Sequence, residues 1–300
     1  MPDPTRKTLS ATETPVLFGA SPYLTRWMLL RRFIHGDEFA NPEHNRMNWG
    51  TRMQPLLLQQ AADDLHLKVT PNATDTYRRR GLLGCTRDAE VFCPDRGPGT
   101  LECKCVFDYG VWMEAWGGGK SPPRHVEIQT QQQMIVGDIS KDRGPFKWGV
   151  IAVWVCGDMK YFERQPIPDL WVAINNEAVR FFADVDAKRE GDPIGEPIER
   201  PLLDKLFAPK PGLTLDLSTR PDAEELTNQV KLMQHHGEVA NSNEKEKKRI
   251  EAQVRAIIGN AETAKLLGGV EVRATRVDKQ GHTVKPHSYT QIRTFVPEAQ

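Results

Sequence analysis

Apolar positions recur along this chain in two rhythms, and each predicts an element. In "GTRMQPLLLQQAADDLHLKV", Met53, Leu57, Ala61 and Leu65 fall four residues apart, the spacing of one helix face. Pro55 has no N–H to give, so it belongs in that helix's first turn or kinks it. "SATETPVLFGASPYLTRWMLLRRFIHG" reads as two short helices broken at Gly19 to Pro22, with Thr12 suited to cap the first. "RHVEIQTQQQMIV" predicts a helix, and "PDLWVAINNEAVRFFADVDAKRE" a long amphipathic one. "LLGCTRDAEVF" reads as a strand, "CPDRGPG" as a turn and "TLECKCVF" as the returning strand. "WGVIAVWVCGD" is a strongly apolar strand, with "MKYFERQ" as its partner across a tight turn.

This order of helices, strand pair, helix, strands and helix predicts a mixed α/β domain over residues 1–190. "EGDPIGEPIERP" is rich in Pro and Gly and opens a linker over residues 191–221. Residues 222–300 then form an extension of a charged helix and strands. Leu226, Val230, Met233, Gly237 and Ala240 keep a four–three rhythm, which breaks in "NSNEKEKK" and resumes at Ile250, Val254 and Ile257. "VEVRATRV" and "SYTQIRTFV" read as two strands after Gly268 and Gly269.

One strand poses a chemical question. Alternation in "TLECKCVF" turns Leu101, Cys103 and Cys105 one way, and Glu102 and Lys104 the other. A carboxylate and an ammonium are costly to bury unless they pair or hold an ion. The strand therefore carries either an ordinary ion pair or part of a site. The preceding strand, "GCTRDAEV", puts Thr86, Asp88 and Glu90 on one face. Paired as a hairpin, the two strands bring Asp88 to Glu102 with Lys104 alongside. Two converging carboxylates repel unless a cation joins them, and an all-oxygen setting favours a hard cation such as Mg²⁺. The backbone carbonyl of Cys103 would be a further ligand. Lys104 would stand where it can orient the nucleophile or stabilise charge building on a phosphate.

Composition narrows the class. The chain has 300 residues, 39% hydrophobic and 27% charged, as in a soluble globular protein. No apolar run approaches the roughly 18 residues of a membrane span, and "MPDPTRKTLS" has no signal-peptide pattern, so a cytoplasmic protein is expected. Lys plus Arg and Asp plus Glu each number 40, so global charge gives no case for nucleic-acid binding. Arg26, Arg31 and Arg32, and the run Arg78 to Arg80, are local basic candidates or simply solvated faces. Of the five cysteines, Cys85, Cys93, Cys103 and Cys105 lack a CxxC knuckle and read as buried thiols rather than a zinc or iron–sulfur site. "GGGK" at 117–120 lacks phosphate-loop spacing and reads as a flexible loop.

An Asp followed at a distance by Glu-x-Lys on a strand is the pattern of the PD-(D/E)xK nucleases. "GCTRDAEV…LECKC" resembles the corresponding segment of phage alkaline exonucleases, the YqaJ and lambda exonuclease family. "VLFGASPYLT", "NRMNWGTRMQP" and "EIQTQQQMIV" resemble three further family landmarks, in the family's order, and the resemblance covers roughly residues 5 to 185. It implies a PD-(D/E)xK core, a mixed central sheet flanked by helices. It implies that Asp88 and Glu102 bind Mg²⁺, with Mn²⁺ as a substitute, and that Lys104 is the catalytic lysine. Gln129 and Gln131 match the family's Gln-x-Gln pair near the site, and Arg6, Ser10 and Thr12 its segment for a terminal 5′-phosphate. The implied activity is 5′ to 3′ digestion of linear double-stranded DNA in the host cytoplasm. It would leave 3′ single strands for a phage annealing protein. The implied assembly is a homotrimeric ring. The chain departs from the family at Gln54, which stands where the family has a helix glutamate, at Arg87-Asp88-Ala89 and at Val126. Gln54 motivates a rival expectation, a nuclease-dead protein that binds DNA ends, and the tail a second, an assembly protein.

Overall fold

The computed structural model describes residues 7–36, 45–71, 76–137, 144–207, 218–258, 263–265 and 271–273. They fall into two compact units, Met1–Leu203 and Asp204–Gln300.

The first unit begins with β1 (Leu9–Ser10), α1 (Thr14–Leu17) and α2 (Arg26–His35). Thr12 does not cap α1: Glu13 holds the cap position, and the Thr12 hydroxyl bonds Ser10 Oγ instead. Thr25 caps α2, its Oγ1 accepting from the N–H of Met28 at 3.3 Å. Next comes α3 (Asn45–Leu65), which starts well before the expected position, so Pro55 lies in its interior. Four strands and a long fifth follow: β2 (Lys68–Pro71), β3 (Arg78–Arg80), β4 (Leu83–Cys85), β5 (Ala89–Cys93) and β6 (Gly97–Val106). Then come α4 (Tyr109–Ala115), α5 (Arg124–Val136), β7 (Gly149–Val155), β8 (Asp158–Arg164) and α6 (Pro168–Asp186).

The expected single strand "LLGCTRDAEVF" is in fact two. β4 belongs to a small sheet of order β1-β4-β3, whereas β5 belongs to the main sheet of order β2-β5-β6-β7-β8. The cause is Arg87. Its side chain is buried and carries a charge, and the chain turns at Thr86 to Asp88 so that this guanidinium reaches the carbonyl of Gly137 at 2.8 Å and Glu90 at 2.6 Å. In the main sheet β6 and β7 run parallel and the other pairs antiparallel. β7 is apolar and almost wholly buried because the sheet is covered on both sides. α5 packs against β4, β6 and β7 and also against α1 and α6. This is the mixed α/β architecture expected from the sequence.

Residues past 190 contribute to this unit. A 3₁₀ turn at Pro197–Glu199 leads into α7 (Arg200–Leu206). Glu199 is fully buried, accepting from Thr25 Oγ1 at 2.6 Å and from the N–H of Gly195 at 2.9 Å. The second unit holds α8 (Ala223–Ile258) and a two-stranded antiparallel ribbon of β9 (Thr263–Lys265) and β10 (Glu271–Arg273). The strand expected at "SYTQIRTFV" lies outside the described residues, as does Arg6. Among the described residues no helix is long and apolar enough to cross a membrane.

Candidate metal centre

β5 begins opposite β6 with Ala89 paired to Leu101, so Asp88 enters at the level of Glu102. β5 ends its ladder there. The N–H of Cys103, on the β6 edge thus left open, donates instead to Asp88 Oδ2 at 2.7 Å. Gln54, from α3, donates its Nε2 to Asp88 Oδ1 at 2.8 Å. The backbone of Cys103 and the side chain of Gln54 therefore hold Asp88 from two sides.

Glu102 is more tightly held. Its side chain is 4% exposed. Gln129 Nε2 donates to Oε1 at 2.5 Å and Gln133 Nε2 to Oε2 at 2.5 Å. Thr100 Oγ1 in turn donates to Gln133 Oε1 at 3.1 Å, which fixes which end of that amide faces the carboxylate. Lys104 Nζ also donates to Glu102 Oε1. Glu102 and Lys104 thus form an ion pair, and the same carboxylate is held by Gln129 and Gln133 of α5.

The sum of charges is unfavourable to two ionised acids. Burial first, and the negative charge of Glu102 second, push Asp88 up to about 7, while Lys104 and the Cys103 N–H act the other way. For Lys104, burial disfavours the charged form, yet Glu102 and Asp88 outweigh it and raise its pKa. Lys104 remains an ammonium with 29% of its side chain exposed. Among the described residues no three His, Cys, Asp or Glu side chains gather as metal ligands. All five cysteines are free. The donor set is therefore two carboxylates with backbone and water, which suits Mg²⁺ or Mn²⁺ and not a thiolate-bound metal.

The other residues singled out in the sequence divide. Gln129 reaches the centre, but Gln131 does not. Its amide donates to Glu127 and to the carbonyl of Gln165, and its oxygen accepts from the N–H of Ile167 at 3.1 Å and from Trp171 Nε1 at 2.7 Å. Gln131 ties α5 to the start of α6, and Gln133 takes the second place on Glu102. The signal was available: residues 129 and 133 are four apart and share a helix face, whereas 131 points away. Ser10 and Thr12 lie with Glu13, which accepts from the N–H of Ser10 at 2.8 Å and sits 3.6 Å from Arg32. Arg87, immediately before Asp88, is an anchor that sequence reasoning missed. Its guanidinium stacks 4.9 Å from the Phe146 ring and holds the carbonyl of Gly137, where φ is +57° and a Cβ would meet the Gly144 carbonyl at 2.1 Å.

Residues 5–140 match the family model of the YqaJ-like viral recombinase domain. The matched segment contains Gln54, Asp88, Glu102, Cys103, Lys104, Gln129 and Gln133, which meet at the centre. No curated protein matches the chain. Among solved structures it is similar to the alkaline exonuclease LHK-Exo from Laribacter hongkongensis, at 18% identity over 61% of this chain and 90% of that one, with a TM-score of 0.46. LHK-Exo in complex with dAMP matches at 17% identity over 67% and 94%, with a TM-score of 0.48. A phage related exonuclease from Haemophilus somnus 129PT matches at 12% identity over 60% and 94%, with a TM-score of 0.44.

Proposed function

We propose that this protein is a metal-dependent exonuclease on the ends of linear double-stranded DNA. In this reading it digests 5′ to 3′ with Mg²⁺, for which Mn²⁺ can substitute, and leaves 3′ single strands. Those would pass to an annealing protein of a phage-type recombination system in the host cytoplasm, from a homotrimeric ring. The observation that carries the reading is the convergence of Asp88, Glu102 and Lys104 at one edge of the main sheet, inside the segment that matches the YqaJ-like domain.

Each residue has a task in that reading. Asp88 and Glu102 would hold the ion, with the carbonyl of Cys103 as a further donor, and the ion when bound would neutralise charge on the scissile phosphate and make water more acidic. Gln129 and Gln133 keep both oxygens of Glu102 in place, so little reorganisation is needed when the ion arrives. The Cys103 N–H does the same for Asp88. Lys104, kept protonated by the two acids, offers Nζ–H groups to charge developing on the phosphate. Arg6, Ser10 and Thr12 would receive the terminal 5′-phosphate.

The test is a linear duplex labelled at its 5′ or 3′ ends and incubated with Mg²⁺. Prompt release of 5′ label as mononucleotide supports the reading; intact duplex in both Mg²⁺ and Mn²⁺ overturns it. One contact favours a second reading, a protein that binds ends without cutting. The Gln54 amide occupies Asp88 Oδ1, which an ion would otherwise use. Retention of labelled duplex without release would select that reading.

A further inference from the structure

The row on α5 that serves the centre does not stop at Gln129. Gln133, Gln129 and His125 are each four residues apart, so His125 continues the same stripe one turn towards the helix start, about 6 Å along the axis from Gln129. At that end the Tyr23 ring meets His125 edge to face, with centroids 6.1 Å apart and planes at 87°. Tyr23 is 63% exposed, although the loop that carries it is fastened. The N–H groups of Tyr23 and Leu24 donate to Ser21 Oγ at 3.2 and 3.3 Å, and Thr25 immediately caps α2. An aromatic ring is thus set against His125, at the end of the stripe that serves the centre, with most of its surface open to solvent. Lys104 lies close enough to both Tyr23 and His125 to interact with them electrostatically.

We propose that Tyr23, braced by His125, is a stacking platform for the nucleobase next to the scissile phosphate. The inference rests on the exonuclease reading and adds a binding site to it. A ligand with a planar face and a neighbouring phosphate fits this ring better than any other class. In this arrangement its phosphate lies over Lys104 while its base covers Tyr23, at the His125 end of the stripe. Stacking tolerates any base, as an enzyme that removes every nucleotide in turn requires. His125 acts as a positioning residue, since without its edge the Tyr23 ring is free to turn.

The probe is a duplex with 2-aminopurine as the terminal base, phosphorothioate end linkages to prevent turnover, and fluorescein at the far end to report binding, studied with the full chain in Mg²⁺. The platform predicts quenched 2-aminopurine in the wild-type complex. Tyr23→Ala raises the emission at saturation and weakens binding about 5- to 150-fold, the range of one base stacked on one aromatic. Tyr23→Phe keeps both values, and His125→Ala lies between. Because Tyr23 is exposed, the thermal midpoint of Tyr23→Ala should equal that of wild type. Unchanged emission and affinity in Tyr23→Ala overturn the platform alone. A wild-type chain that binds no duplex overturns the exonuclease reading, and the platform with it.

Discussion

α5 and α8 look alike in sequence, since both are rich in polar side chains, yet their surroundings are opposite. In α5, ten of the thirteen residues are buried, including the run Gln129 to Gln133. Along α8 most of the described side chains are exposed, including Leu232, Met233 and Val239. What separates them is the supply of partners. Each glutamine of the α5 run has a geometric complement: Glu102 for Gln129 and Gln133, the start of α6 for Gln131, and Thr14 with the carbonyls of Leu9 and Gly84 for Gln132. α8 offers its Gln229 only Glu225, one turn back. A buried amide without partners costs about 1–3 kcal/mol, so four within five residues survive only where the surroundings complete them. The polar groups of α5 thereby fix the acids of the centre, whereas Gln229 of α8 meets a neighbour on its own helix.

The sharpest way to break this contrast is at the end of the α5 network. Lys104→Ala should lower the cleavage rate by about 10²- to 10⁴-fold while the fold survives, because Glu102 keeps both glutamines. A single-turnover assay with circular dichroism checks both halves. Activity within a few-fold of wild type would dismiss the metal centre.

Truncation tests where the well-partnered region ends. A chain ending at residue 207 keeps Glu199 on Thr25 and buried Leu202, and should unfold within about 2 °C of the full chain's first transition. A chain ending at 190 loses both and should be destabilised by about 3–5 kcal/mol. Equal denaturant midpoints for the two would show that residues 191–207 are a passive linker, as their Pro and Gly content suggested.

Gln133→Ala should cost about 1–3 kcal/mol, because Glu102 Oε2 and the Thr100 hydroxyl each lose a partner. The matching exposed substitution, Gln229→Ala on α8, should stay within about 0.5 kcal/mol. Urea unfolding measures both, and equal costs would dissolve the comparison.

Much of this architecture was legible in sequence wherever burial was uniform. "RHVEIQTQQQMIV" is α5 residue for residue, and the apolar run of β7 and the amphipathic stripe of α6 were equally plain. Misreadings arose where one residue overrode a pattern. Alternation ran unbroken through "LLGCTRDAEVF", but a buried guanidinium needing the Gly137 carbonyl broke it into β4 and β5. "YGVWMEA" was not read as a helix, since its cap, Asp108, precedes a Gly and scattered aromatics. The apolar rhythm lapses at "NSNEKEKK", yet the charged helix expected there runs through as α8, because apolar spacing reports packing and not backbone propensity. At the site, Asp88, Glu102 and Lys104 were found by motif, while Gln133, Thr100 and Arg87 needed the fold to bring them in.

The pH dependence should have opposite signs with and without metal. Asp88 has an ordinary value of 3.8 and is pushed up to about 7 by burial and Glu102. Its protonated form is the one the fold favours, so its contribution is complete below pH 3.8 and is lost as pH rises through 7. In chelator, Asp88→Asn should therefore be more stable than wild type at pH 8, by about 1–2 kcal/mol, and equal to it near pH 4. An asparagine can keep Oδ1 on the Cys103 N–H while Gln54 turns its amide oxygen to the new NH₂ group. With Mg²⁺ the order at pH 8 should reverse, since only the wild type can bind. Parallel stability curves in chelator would show that Asp88 is not strained by its surroundings.

The smallest expected effect is at Gln54, and it decides how strong a centre this is. Gln54 Nε2 spends a hydrogen bond on Asp88 Oδ1 and brings no charge. Gln54→Glu replaces that donor with a third carboxylate beside two that already repel. Without metal the change should destabilise, by about 1 kcal/mol, and should push Asp88 higher still. With metal the added charge becomes a ligand, and the Mg²⁺ concentration for half-maximal cleavage should fall about ten-fold, equivalent to about 1.4 kcal/mol. The two effects have opposite signs and come from one substitution, so a general loss of packing cannot mimic both. A Mg²⁺ titration of cleavage, paired with unfolding in chelator, reads them together. If the titration is unmoved while the apo protein weakens, Gln54 is a structural partner of Asp88 and no more. If the titration shifts as expected, α3 supplies the centre's third position, and the wild-type amide sets its affinity for metal.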